Sequence, residues 1–220
     1  MDIFELVKSG ERKDVLQAIA DRPVLVYQRD KSGNRPVMMA IYSGMPELAA
    51  ELRSRMDEIN IWEAAALGEL EMVEQFVTED PKAKDAFALD GFTPLGLSSF
   101  FGQVIVVAWL LTHEADPNRP ARNKMTVYPI HSAAAHRDKT ASLTMVKLLV
   151  EHGAKVNVSQ AGGWTPLHQA ADHGNEELAR YLLKKGADRT LTADDGRTPA
   201  DMARGKGFLE LADLLDIKVF

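Results

Sequence analysis

The chain has 220 residues, of which 45% are hydrophobic and 26% charged, an ordinary composition for a globular protein with enough apolar material to bury a continuous core. Its 26 basic and 32 acidic residues give a net charge of −6 without a basic cluster, so nucleic acid is not expected as a main partner. The sequence lacks cysteine and lacks an apolar run long enough to cross a membrane, which excludes disulfides, thiolate metal sites and membrane-spanning helices.

The first nine residues alternate acidic and apolar side chains. They lack the basic, then apolar, then small-residue order of a signal peptide. We therefore expect a cytoplasmic protein with no membrane partner.

Single glycines recur along the chain at positions 10, 44, 68, 102, 174 and 207. Apolar residues recur four, five, eight and nine positions after them, as Met72, Val73, Phe76 and Val77 follow Gly68, and this spacing is one face of a helix. One further unit lies between positions 102 and 174. The pattern predicts seven helical pairs in a single domain covering 1–220, with units of roughly 1–32, 33–58, 59–90, 91–123, 124–162, 163–195 and 196–220.

One interval in this series is short. Gly44 and Gly68 are 24 residues apart, whereas Gly10 and Gly44 are 34 apart. The family resemblance given below implies that an extended hairpin finger of about this length joins adjacent units. We therefore expect the connection near 57–61 to lack its hairpin and to pass almost directly into the next helix.

The clearest unit begins at Gly163, and its Thr165 and Pro166 recur 33 residues later as Thr198 and Pro199. A fixed period of this size is the signature of a stacked solenoid. Proline suits the first helical turn, where its missing N–H has no intrahelical partner, and the threonine before it is a suitable helix cap.

This unit resembles the ankyrin repeat. The resemblance lies in the motif Thr165–His168, then Ala170, Ala171, Gly174, Leu182, Leu183 and Gly186–Asp188. It extends over essentially the whole chain and is strongest over 93–203. It implies an all-α ankyrin-repeat solenoid of about seven stacked helix-turn-helix units with short β-hairpin fingers and irregular N-terminal repeats.

Two departures from the repeat carry structural expectations. His131 lies 22 residues before Gly153, whereas His168 lies 18 before Gly186, so we expect four extra residues to loop out within 136–144. Glu114 takes the position of a helix-ending glycine, and we expect it to adopt a left-handed conformation at a cost of about 1 kcal/mol.

The histidines do not indicate catalysis. His131 and His168 occupy the same column of the repeat, where the resemblance implies that the imidazole ties neighbouring turns together. No histidines stand at metal-binding spacing, and the glycines fall singly rather than in a phosphate loop. We therefore expect no catalytic residue, no metal and no cofactor.

The resemblance places a partner across the finger tips and the exposed side of the first helices. Transferring those columns gives the following candidate partner-binding residues: Tyr42, Leu67, Phe92, Phe100, Phe101, Met125, His136, Trp164, Asp172, His173 and Arg197. Aromatic residues are frequent among them, which favours an exposed apolar groove. The alternative is that Phe100 or Phe101 folds down to fill space left by the missing finger.

The sequence thus predicts a non-enzymatic, monomeric protein-protein interaction module that binds a protein or peptide on a concave groove and on the finger tips. The alternative is a regulatory subunit or inhibitor that covers the active site of a partner enzyme.

Overall fold

The structure is a computed structural model that describes residues 2–216. Within that range the chain forms seven successive pairs of short helices. Their bounds are α1 Ile3–Ser9, α2 Arg12–Asp21, α3 Pro36–Tyr42, α4 Pro46–Arg53, α5 Ile61–Leu67, α6 Leu70–Glu79, α7 Pro94–Phe100, α8 Val104–Thr112, α9 Pro129–Ala134, α10 Lys139–Glu151, α11 Pro166–Asp172, α12 Glu176–Lys184, α13 Pro199–Gly205 and α14 Leu209–Asp216.

The helices stack in two layers. The first helices of the pairs, α1 to α13 in odd numbers, contact one another in chain order, and α6, α8, α10 and α12 do the same in the second layer. The core lies where the two layers meet, and completely buried alanines such as Ala133 and Ala170 allow the first helices to approach closely. This arrangement confirms the all-α solenoid.

The first helices begin as the sequence predicts. The Thr165 side chain accepts a hydrogen bond from the His168 backbone N–H, and the His168 ring accepts one from the Thr165 backbone N–H, which together form a capping box. Thr93 caps α7 and Thr198 caps α13 in the same position. At the far end of α8, Glu114 has φ +61, so the left-handed conformation expected at this non-glycine position is confirmed.

The sequence predicts β-hairpin fingers between the units. In residues 2–216 these connections are turns, and no residue belongs to a β-strand. We number these fingers by the unit they precede: finger 2 (28–35), finger 4 (86–93), finger 5 (119–128), finger 6 (158–165) and finger 7 (191–198). Neighbouring fingers join through single backbone hydrogen bonds rather than a ladder. One example is the Asp194 N–H, which donates to the Gly162 carbonyl at 2.9 Å.

Unit 3 has no finger, which confirms the expectation for the short interval. Only residues 54–60 separate α4 from α5, against 80–93 between α6 and α7. A capping box at Asn60 starts α5 directly. The buried carboxylate of Glu63 accepts a hydrogen bond from the buried Arg35 guanidinium at 3.2 Å, which ties the connection to unit 2.

The expectation of a loop within 136–144 is wrong. The α10 helix has 13 residues, against nine in α8 and nine in α12, so the extra residues lengthen the helix. The Asp138 carboxylate starts this additional turn by accepting hydrogen bonds from the backbone N–H groups of Thr140 and Ala141. Four residues are close to one helical turn, so the buried face of α10 keeps its register.

Candidate functional site

Three of the predicted aromatic residues form one cluster, which we call the aromatic cluster: Tyr42, Phe100 and Phe101. The Tyr42 ring centroid lies 5.2 Å from that of Phe101 and 6.2 Å from that of Phe100, and the two phenylalanine rings meet edge to face at 5.0 Å. These separations are typical of favourable aromatic pairs.

The cluster joins two units that are not neighbours. Tyr42 ends α3 in unit 2, Phe100 ends α7 in unit 4, and α5 of unit 3 lies between these two helices. The equivalent positions of unit 3 hold the smaller residues Ala66 and Leu67, and Ala66 is buried. The large rings therefore meet across a unit whose own side chains are small.

The three rings differ in exposure. Phe100 is 45% exposed and Tyr42 38% exposed, whereas Phe101 is half-buried against the core. Phe101 also lines an apolar cavity of about 380 Å³ together with Ile41, Ala49 and Leu67. The sequence left two alternatives, an exposed apolar groove and a phenylalanine that folds down between units. Phe100 is exposed, as in the first, and Phe101 packs against the core between units, as in the second.

A hydrogen bond fixes the polar edge of the cluster. The Tyr42 hydroxyl donates to Oδ2 of Asp90 in finger 4 at 2.9 Å. Partial burial and the Asp90 carboxylate both raise the pKa of Tyr42, so the phenol remains a neutral donor. Finger 4 is thereby attached to the end of α3.

The tips of fingers 2 and 4 meet in the place of the missing finger. The Leu89 side chain lies so close to Gly33 that a Cβ atom added to Gly33 would stand 2.3 Å from Leu89 Cδ1. Beneath this contact is a second cavity of about 380 Å³, with Met38, Trp62 and Leu97 in its lining. The short interval was the only sign of this arrangement in the sequence.

His131 and His168 have the predicted structural role. The His131 Nε2 lies 2.9 Å from the Trp164 carbonyl oxygen and 3.1 Å from that of Val158, and carbonyl oxygens only accept. The His168 Nε2 likewise lies 3.2 Å from the Arg197 carbonyl oxygen. Each imidazole therefore joins its helix to the next finger, and burial lowers the pKa of His131 to about 4.

Two predicted aromatic residues lie outside the cluster. Phe92 is half-buried beside Gly96 of α7, and Trp164 is half-buried against the core with its ring 6.4 Å from that of His168. Within residues 2–216 no ring contact joins either of them to the aromatic cluster. Of the five aromatic residues that the sequence groups together, the structure brings together three.

The predicted polar residues lie along the later units. His136 packs over Gly102, since a Cβ atom added there would stand 2.4 Å from its Nε2. Asp172 pairs with Lys206 at 3.1 Å and Arg197 with Asp195 at 2.6 Å. These side chains connect units or brace turns.

Two further predicted residues remain accessible. His173 is half-buried at the C-terminal end of α11. Met125 in finger 5 is 52% exposed.

Comparison with known proteins gives a family match and several relatives. A family model described as "Ankyrin repeats (3 copies)" matches residues 61–160, 121–193 and 138–218. Human protein phosphatase 1 regulatory subunit 27 is 45% identical over 78 residues, which are 35% of this chain and 51% of that protein. The chain thus spans about half the length of this relative.

Two longer matches are more distant. Ankyrin repeat and SAM domain-containing protein 6 of Rattus norvegicus is 31% identical over 144 residues, 65% of this chain and 12% of that protein. Probable 26S proteasome regulatory subunit p28 of Saccharomyces cerevisiae is 26% identical over 204 residues, 86% of this chain and 87% of that protein. In the part of the chain that the structure describes, no helix is both long and apolar enough to cross a membrane.

Proposed function

Because this chain belongs to the ankyrin repeat family, and is therefore a protein-protein interaction module, we propose that it holds a protein or peptide partner over the aromatic cluster and finger 4. The observation that carries this proposal is the exposure of Phe100, a residue that is 45% exposed to solvent beside two other aromatic rings. The remaining predicted residues on the later units, from Met125 to Arg197, extend the same proposed surface toward the C-terminal repeats.

The energetics favour the cluster as the centre of such a contact. A phenylalanine buries on the order of 150 to 250 Å² when it is fully covered, so the exposed part of Phe100 offers about 100 Å² to a partner. Central aromatic residues of this kind commonly contribute about 2 kcal/mol or more to binding. The hydrogen bond between Tyr42 and Asp90 holds the neighbouring ring in place before a partner arrives, which lowers the entropy lost on binding.

The proposed function is non-enzymatic and needs no cofactor. The two most buried imidazoles, those of His131 and His168, are committed to backbone carbonyls. The negative net charge of −6 supports a protein rather than a nucleic acid partner. A monomer in the cytoplasm, without a membrane partner, is the setting we propose.

A peptide selection tests the proposal directly. A phage-displayed library of random peptides is selected on the folded chain, and the tightest peptide is measured by calorimetry against wild type, Phe100→Ala and Ile105→Ala. Ile105 is the matched control, since it is 70% exposed on α8 in the second layer. We expect Phe100→Ala to weaken binding about 30-fold and Ile105→Ala to leave it unchanged. Equal effects of the two changes would exclude the aromatic cluster as the site.

The second candidate is a regulatory subunit or inhibitor that covers the active site of a partner enzyme. The printed names of two relatives, a phosphatase 1 regulatory subunit and a probable proteasome regulatory subunit, favour it. The same surface serves both candidates, and the difference lies in the partner. Once a partner enzyme is isolated with this chain, an unchanged turnover rate on adding the chain would count against inhibition.

A further inference from the structure

Finger 5 and finger 4 together present two arginines on one phenyl ring. The Cζ atom of Arg122 lies 4.0 Å from the Phe87 ring centroid, and that of Arg119 lies 4.6 Å from it. We call Arg119 and Arg122 the arginine pair. Stacking on an aromatic ring orients a guanidinium while it leaves the N–H donors at the edge of the plane available.

Among the described residues, neither member of the arginine pair has an acidic partner within 4.0 Å. Several other arginines in 2–216 pair with a carboxylate within 4.0 Å, namely Arg12, Arg35, Arg53, Arg180, Arg197 and Arg204, whereas no such pair includes Arg119 or Arg122. The Nε atom of Arg119 is also buried without a hydrogen-bond partner. A buried donor without an acceptor is costly, so an added acceptor that reached this Nε would lower that cost.

The carboxylates nearest in sequence are already engaged. Asp85 accepts a hydrogen bond from the Asp116 backbone N–H at 2.9 Å, and Asp116 accepts one from that of Asn118 at 2.8 Å. Asp90 holds the Tyr42 hydroxyl. Asp116 also lines the depression described next, where it is the one acidic side chain on the rim.

The arginine pair lies at a shallow depression of about 490 Å³ whose lining also includes Phe87, Asn118 and Asn123. Hydrogen bonds through finger 4 link this depression to the aromatic cluster. The Arg122 backbone N–H donates to the Gly91 carbonyl at 2.8 Å, and the Asn123 side-chain amide donates to the Asp90 carbonyl at 3.0 Å. Asp90 in turn reaches Tyr42, so short contacts connect the pair to the aromatic cluster.

We propose that the arginine pair binds carboxylates of an acidic segment in the same protein partner that covers the aromatic cluster. This inference rests on the proposed function and gives it a charge specificity. Planar guanidinium groups match carboxylates with two parallel hydrogen bonds. Because the chain as a whole carries a charge of −6, an acidic segment is repelled elsewhere, and the unpaired arginines fix where it lies.

The peptide selection tests this inference when it is run in parallel on three proteins: wild type, the double variant Arg119→Gln with Arg122→Gln, and the control Arg180→Gln. Arg180 is an exposed arginine of α12 that pairs with Glu176 in its own helix. We expect wild type and control to enrich peptides with an aromatic residue and acidic residues, and the double variant to lose only the acidic enrichment. A wild-type peptide should bind the double variant about tenfold more weakly.

Each outcome supports or overturns the inference. Peptides enriched for apolar residues alone on wild type, or acidic enrichment that persists in the double variant, overturn it and leave the proposed function standing. A selection that enriches no peptide overturns the proposed function and the inference with it. If the double variant lacks the helical circular dichroism of wild type, it is replaced by the single change Arg122→Gln at an exposed side chain. The loss of acidic enrichment and the weaker binding of the wild-type peptide are then expected of that single variant.

Discussion

His131 makes the stability of this protein depend on pH in a range where few other groups contribute. Its ring is buried between unit 5 and finger 6, with Nε2 directed at two carbonyl oxygens. Burial lowers its pKa to about 4, while a histidine in the unfolded chain titrates near pH 6.5. As the pH falls below 6.5, the unfolded chain therefore binds a proton that the folded protein does not.

The magnitude follows from the two pKa values. The difference of about 2.5 units corresponds to about 3 kcal/mol in the free energy of unfolding. This stability is fully present above pH 6.5 and is lost as the pH falls toward 4, with about 2 kcal/mol lost between pH 7 and pH 5. His168 adds to the loss, because burial lowers its pKa too. Glu63 acts in the opposite sense, because burial raises its pKa.

The assay is urea unfolding followed by circular dichroism at pH 7 and pH 5, on wild type and on His131→Gln. Glutamine can donate to the same carbonyls but does not titrate, so the variant should lose about 2 kcal/mol less stability than wild type on acidification. At pH 7 the variant should be less stable than wild type, because glutamine does not fill the space of the buried imidazole ring. An equal loss of stability in both proteins would refute this account, because the pH dependence would then arise elsewhere.

Three further predictions concern the backbone. Replacing Glu114 by glycine should raise the stability by about 1 kcal/mol, measured by thermal melting, since its φ of +61 is unfavourable for a glutamate. Amide hydrogen exchange should be faster over 34–66 than over 163–190, because the early units depart most from the repeat, and the reverse order would contradict this. Gly91→Ala should lower the melting temperature more than the control Gly10→Ala, although both glycines have positive φ. The added Cβ at Gly91 would stand 2.7 Å from the Arg122 carbonyl carbon, whereas at Gly10 it would meet no atom within 4 Å. Equal losses in the two variants would count against close finger packing.

The helical stack was predictable because its signals are local. A glycine that reverses the chain, a threonine and a proline that start a helix, and a periodic apolar face all lie within one unit. A helical pair can therefore be recognised from the sequence of its own unit, and the spacing of the glycines gives the order of the units in the stack. The same arithmetic revealed the missing finger, since residues 54–60 are too few to form one.

Spacing counts residues without giving their conformation, which explains the wrong loop in unit 5 and the unconfirmed hairpins. The four extra residues of unit 5 were assigned to a loop, but Asp138 supplies a cap and the residues after it continue as helix α10. The fingers were assigned to β-hairpins. Each closes on itself, as where the Ala193 N–H donates to the Arg197 carbonyl at 2.9 Å, but no residue in 2–216 belongs to a strand, so the β-hairpin is not confirmed.

The candidate site was less predictable, because it depends on contacts between distant parts of the chain. Tyr42 and Asp90 are 48 residues apart in sequence, and their hydrogen bond exists only because finger 4 stands where finger 3 is absent. The column assignment found Tyr42, Phe100 and Phe101 at two similar helix ends, those of α3 and α7. It could not distinguish them from Phe92 and Trp164, whose rings pack within their own regions.

The missing finger and the aromatic cluster are two consequences of the same irregular unit. In the later repeats, fingers 5, 6 and 7 each join the preceding finger by a backbone hydrogen bond. Unit 3 contributes no finger, so Leu89 of finger 4 packs against Gly33 of finger 2. Unit 3 also has Ala66 and Leu67 where its neighbours carry aromatic rings, so the rings of units 2 and 4 meet. A substitution that placed a large side chain at Ala66 would separate Tyr42 from Phe101, and we expect it to weaken partner binding without a change at Phe100 itself.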